Sequence, residues 1–127
     1  MAEPLRVVLI DDDPDLRMLI TLTLHSSAAW DVMAFPDGAS GIEAVRQQRP
    51  DLVIVDVMMP GMDGYEVCRR LKEDQEMAAI PVIFLTARQD ASDDRARAAG
   101  AIGAVSKPFD PTQLASRINE LYRNVSR

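Results

Sequence analysis

Apolar residues in this chain come in short unbroken runs separated by longer segments of helical spacing. Val7 to Ile10, "VVLI", is the first such run. It is rich in β-branched residues and does not alternate with polar ones, which predicts a strand covered on both faces. "WDVMAF", Trp30 to Phe35, reads as a second strand, and Leu52 to Val55 in "DLVIVD" as a third. Val82 to Leu85 is a fourth, ending at Thr86, and Ala101 to Val105 a fifth. Between them the spacing changes to that of helices. Leu16, Leu19, Ile20 and Leu24 fit one helix face, and Ala39, Ile42 and Val45 a second. Tyr65 to Lys72 reads as a helix with Val67, Cys68 and Leu71 inward. Leu114, Ile118 and Leu121 line the last one.

The starts of these helices are marked. Asp13 is placed to cap the first helix, Pro14 fits its first position, and Asp15 meets the positive end of its dipole. Asp37 suits the cap of the second helix, and Asp110, Pro111 and Gln113 give the last a capping-box pattern. "DASDDRARAAG" predicts a weak, loosely held helix closed by Gly100, because alanines are its only apolar residues. "MMPGMDG" is a loop, with Asp63 a turn former rather than a ligand.

Strand and helix alternate five times. That order predicts parallel βαβ units, hence a three-layer α/β domain. No internal repeat, linker or low-complexity stretch interrupts it, so residues 1–127 read as one domain.

Composition narrows the class. The chain is 47% hydrophobic and 27% charged, enough for one core and a solvated surface. A net charge of -6 with no basic stripe argues against direct nucleic-acid binding. Cys68, the only cysteine, allows no intrachain disulfide and reads as core packing. No apolar run approaches the ~18 residues of a membrane span, and "MAEPLR" lacks signal-peptide character. The expected setting is the cytoplasm. His25 reads as a helix-end or surface residue, and the methionines mostly as gap-fillers.

The strand ends change the picture. Asp11, Asp12, Asp13 and Asp15 crowd the end of the first strand. Two such charges about 4 Å apart repel by roughly 4 kcal/mol at an effective dielectric near 20. Asp13 and Asp15 are accounted for by the helix start; Asp11 and Asp12 are not. The third strand ends in Asp56, the fourth in Thr86, and the fifth near Lys107, followed by Pro108. In an open parallel sheet, ligands bind outside the carboxyl ends of the strands. Three carboxylates converging there need a cation. An oxygen-only set favours Mg²⁺, with Mn²⁺ as the alternative, over zinc. Such a cation offsets charge between a carboxylate and an incoming phosphoryl group. Thr86 and Lys107 would hold phosphoryl oxygens, and Asp56, between them, is the natural nucleophile.

"LIDDDPD", "IVDVMMPGMDG", "FLTA" and "SKPF", in that order and at strand ends, resemble the motif set of the receiver domain of two-component response regulators. The resemblance runs from about Arg6 to the final helix. It implies a flavodoxin-like fold with sheet order 2-1-3-4-5. It implies that Asp56 takes a phosphoryl group from a phosphohistidine, borne by a sensor histidine kinase or a histidine phosphotransfer protein. Asp12 would hold Mg²⁺ directly, Asp11 mainly through water, and the Met58 backbone carbonyl would add a ligand. Thr86 would be the switch hydroxyl. Lys107 would pair with the phosphoryl group, and its bond to Pro108 would be cis. The chain would be a signalling domain acting on a downstream effector, not an enzyme with an outside substrate.

Two departures stand out. Strand five carries Ala104 where that family often has a Tyr or Phe coupled to the hydroxyl. Met58 and Arg88 occupy places that in that family influence dephosphorylation, and both side chains can hinder an attacking water. Other readings are weaker. Asp11-x-Asp13 resembles haloacid-dehalogenase-type phosphatases, but Asp15 stands where they carry Thr or Val, and there is no room for a cap domain. An EF-hand fails because Leu16 replaces its Gly and Leu22 its twelfth-position Glu. A phosphorylation-independent interaction domain of the same fold is the remaining alternative.

Overall fold

The computed structural model describes residues 4–125. The elements are β1 (Arg6–Ile10), α1 (Pro14–Ala28), β2 (Asp31–Phe35), α2 (Gly38–Gln48) and β3 (Leu52–Asp56). Then come α3 (Gly64–Glu73), β4 (Val82–Ala87), a 3₁₀ turn (Arg88–Asp90), α4 (Asp93–Ala98), β5 (Gly103–Lys107) and α5 (Pro111–Val125). Among the described residues the five strands form one parallel sheet in the order β2-β1-β3-β4-β5. The flavodoxin-like order implied by the resemblance is therefore present.

The unbroken apolar runs follow from burial on both sides. Val8, Ile10, Val53, Val55, Val82 and Phe84 face a core that includes Val67, Cys68 and Leu71 of α3. Val7, Leu9, Leu52, Ile54, Ile83 and Leu85 face the other, with Ile20 and Leu24 of α1 and Leu114, Ile118 and Leu121 of α5. All five residues of β3 are buried, so its last residue, Asp56, is carried to the rim by a strand with no freedom to slide.

Several sequence expectations are corrected. Leu19 is 43% exposed, since α1 buries only the narrow i, i+4 row through Ile20 and Leu24. On α2, Ala39 is exposed, and Gly38, Gly41 and Ala44 join Ile42 and Val45 in the interface. A Cβ on Gly41 would overlap the Ile10 side chain, so the helix approaches β1 too closely for a larger residue. Trp30 is buried but lies ahead of β2. β4 continues through Thr86 to Ala87, and β5 begins at Gly103 and includes Lys107. Gly103 lies under Leu121, which the composition of "AIGAVSKPF" does not reveal. Asp110 Oδ1 accepts from the N–H and hydroxyl of Thr112, while the Gln113 N–H donates to the Asp110 carbonyl; this is a local turn instead of a capping box. α4 is short and buries only Ala96, as its composition predicts.

Candidate functional site at the carboxyl edge of the sheet

Asp11 leaves β1 completely buried. Its N–H continues the ladder to the Phe35 carbonyl at 3.1 Å. Its Oδ1 accepts the Asp13 N–H at 2.8 Å, and its own carbonyl accepts from Arg17 at 2.7 Å. Asp13 in turn caps α1, accepting from the N–H groups of Asp15 and Leu16. The chain is thus pinned on both sides of Asp12, which is exposed. Asp56 Oδ1 accepts the Met58 N–H at 3.2 Å and the Lys107 ammonium at 2.9 Å.

One carboxylate oxygen each from Asp11, Asp12 and Asp56 lie within 4.8 Å of one another. Asp11 Oδ2 is buried and, among the described residues, has no hydrogen-bond donor against it. Burial raises the Asp11 pKa to about 6; the Asp13 N–H and Lys107 oppose this, while the Asp56 and Asp12 charges add to it. A buried oxygen without a donor, beside two further carboxylates and no imidazole or thiolate, fits a hard divalent cation such as Mg²⁺.

Thr86 is buried on β4, one residue beyond the register partner of Asp56, and among the described residues makes no side-chain hydrogen bond to Asp56 or Lys107. The Met58 side chain is 73% exposed above the rim. The Lys107–Pro108 bond is cis, as the resemblance implied. The Arg88 side chain lies outside what the structure describes.

The loop after β3 is fixed by close contact. Asp63 is the cap of α3, accepting the Glu66 N–H, so it is a helix start as well as a turn residue. Gly64 N–H donates to the Val57 carbonyl, and a Cβ on Gly64 would fall 2.6 Å from the Asp56 carbonyl oxygen. Gly64→Ala is therefore expected to destabilise by about 1–3 kcal/mol through overpacking against backbone. This outweighs the ~1 kcal/mol gained in helix propensity. Urea unfolding checks it, and a stabilised variant would refute the contact.

Sequence reasoning missed three features. Arg17 ties α1 to the acid rim. Tyr65 stands edge-on to Phe84 at 5.2 Å between centroids. Arg117 of α5 pairs with Asp93 of α4 at 2.9 Å beside Ala104. The last joins residues 24 apart, which no periodicity could pair. Arg17 had a signal, since α1 brings it one turn past the cap.

Comparison with known proteins places this geometry. A sequence profile described as "Response regulator receiver domain" matches residues 7–119. The chain is 42% identical over 124 residues to the transcriptional regulatory protein CseB of Streptomyces avermitilis, covering 97% of this chain and 51% of that protein. It is 39% identical over 119 residues to the DNA-binding response regulator MtrA of Mycolicibacterium smegmatis, covering 93% and 50% respectively. The chain thus spans about half the length of the curated relatives it matches. Among solved structures, the chemotaxis response regulator CheY4 of Vibrio cholerae superposes with a TM-score of 0.84 at 27% identity, over 94% of this chain and 99% of that one. The signal receiver domain of a histidine kinase from Syntrophus aciditrophicus gives 0.80 at 31%, over 96% and 92%.

Proposed function

Since the chain belongs to the response regulator receiver domain family of two-component signalling, we propose that Asp56 is its phosphoacceptor, in a Mg²⁺-dependent transfer from a phosphohistidine. The observation that carries this reading is the Asp11–Asp12–Asp56 cluster with Lys107 already seated on Asp56.

Asp12, Asp56 and the Met58 carbonyl would hold the ion directly, with Asp11 behind them. When bound, the ion offsets the negative charge of the carboxylate and the phosphoryl group as they approach. The P–N bond to the donor histidine breaks as a P–O bond to Asp56 forms, and the electron pair leaves with the nitrogen. Lys107 stays as the cation for one phosphoryl oxygen, and Thr86 moves inward to donate to another. The face built from α4, β5 and α5 then repacks, a two-state element biased by a local charge.

The donor would be a sensor histidine kinase or a histidine phosphotransfer protein. Exposed Met18, in the second turn of α1, and Leu22, one turn further from the rim, offer apolar surface for such docking. The output would pass to an effector protein or domain. The DNA binding named for the longer relatives is not assigned to these residues, whose net charge is -6. Among the described residues no helix is long and apolar enough to cross a membrane, and the proposed setting is the cytoplasm.

Incubation with Mg²⁺ and acetyl phosphate should add one phosphoryl mass to the intact protein. The adduct should disappear with chelator and in Asp56→Asn. An unmodified wild type would sink the reading in favour of a phosphorylation-independent interaction domain. Steady turnover of a phosphate ester would favour a phosphatase.

A further inference from the structure

We propose that the Asp93–Arg117 ion pair is a latch that clamps α4 and α5 across Ala104 and opposes the phosphorylated state. The proposal rests on phosphorylation at Asp56, and concerns how that event reaches the far face of β5.

β5 is an edge strand, so one side of its backbone has no strand partner. At Ala104 that side is closed by side chains. The Ala104 N–H donates to Asp93 Oδ1 at 3.1 Å, and its carbonyl accepts from Arg117 at 3.4 Å. The same Arg117 nitrogen donates to both Asp93 oxygens at 2.9 Å. Three elements therefore meet through one residue's backbone. The two side chains keep 35% and 32% of their exposure, so water screens them only in part. Burial alone would raise the Asp93 pKa, but the bonds from Arg117 and Ala104 hold it below the usual carboxylate range.

The rest of α4 is held weakly. Only Ala96 is buried among its six residues, so the ion pair is a main restraint on its position. A groove of about 530 Å³ opens beside the latch, lined by Ala91, Ala104, Ser106, Phe109, Gln113 and Arg117. The Ala104 side chain is buried with Phe84, Ala96 and Ala101, and it carries no ring to turn beside the groove. The path from the phosphoryl site is short. Thr86 pairs in register with Ser106, two residues after the Phe84–Ala104 pair. An inward shift of Thr86 pulls on the strand whose edge the latch covers. Release frees the Arg117 guanidinium and the Ala104 edge groups, and lets α4 move.

A latch that stabilises the resting state must weaken binding of anything that selects the active one. Beryllofluoride with Mg²⁺ is the probe. Arg117→Gln is expected to bind it about fivefold or more tightly than wild type, the lower range of allosteric couplings. Amide exchange in the peptide carrying Ala104 should accelerate several-fold without the probe. Arg117→Lys, which keeps the charge, should fall between the two. Asp93→Asn, which keeps an acceptor for Ala104, should shift in the same direction and guards against a misfolded Arg117 variant. Faster exchange with unchanged or weaker affinity overturns the latch while leaving Asp56 phosphorylation standing. A wild type that binds no beryllofluoride overturns both.

Discussion

In chelator at pH 7.5, Asp11→Asn is expected to be more stable than the wild type, by up to about 3 kcal/mol. The side chain is fully buried, its Oδ2 has no donor among the described residues, and two other carboxylates stand within 4.8 Å. Burial, as the largest cause, lifts its pKa from 3.8 to about 6. At about 1.4 kcal/mol per pH unit, that difference is worth about 3 kcal/mol. The sign follows from proton counting. Between pH 3.8 and about 6 the folded protein holds a proton on Asp11 that the unfolded chain has lost. Wild-type stability from this group therefore falls as pH rises through that window, and the penalty is complete above it. Asn carries no such penalty, and its Oδ1 can still accept the Asp13 N–H. Urea unfolding at pH 4, 5.5 and 7.5 should show the gain grow with pH and nearly vanish at pH 4. Mg²⁺ should narrow the gap, since the wild type, with Asp11 charged behind the direct ligands, gains more binding energy than the variant. A gain equal at pH 4 and 7.5, or a less stable variant at pH 7.5, would contradict the assignment of Asp11 as a charge held for a cation.

The special standing of Asp11 is already visible in the stretch "VVLIDDDPD". Helix-cap chemistry explains Asp13, which accepts two α1 N–H groups in the structure. It leaves Asp11 and Asp12 unexplained, and the surplus points to the rim. The strands are legible because burial on both faces removes alternation, and their ends because carboxylate, hydroxyl and ammonium replace apolar residues there. What stays hidden are contacts set by docking distance. Ala39 fits the helical stripe as well as Gly41 does, but the approach of α2 to Ile10 puts glycine inside and Ala39 outside. Leu19 matches the spacing of α1, yet the buried row is narrower than the apolar one. The start of β5 is obscured because Ala101 and Ile102 are apolar without belonging to the strand. No spacing or motif pairs Asp93 with Arg117, and only the tertiary fold sets them on one backbone unit.

Lys107→Met is expected to cost about 3 kcal/mol in chelator at pH 7.5, much more than a surface lysine would. Its ammonium is 2.9 Å from Asp56 Oδ1, and Asp56 is 2% exposed. Removing one partner of a buried ion pair leaves the other charge without compensation, at roughly 3–5 kcal/mol; the partial exposure of Lys107 argues for the lower end. The loss belongs to the cluster and not to the lysine's own packing, which a double-mutant cycle separates. In an Asp56→Asn background the same change should cost under about 1 kcal/mol, because an amide needs no counter-charge and the freed ammonium reaches water. Mg²⁺ should recover stability in Lys107→Met, since the ion supplies positive charge at the same oxygens. The resting site is then two acids awaiting a cation and one acid lent a lysine. A phosphoryl group on Asp56, as proposed, would bring further negative charge to that lysine, and the pair would have to rearrange around it. If Lys107→Met cost the same in the wild-type and Asp56→Asn backgrounds, Lys107 would not be balancing the acid cluster, and its transfer to the phosphoryl oxygen would lose its physical basis.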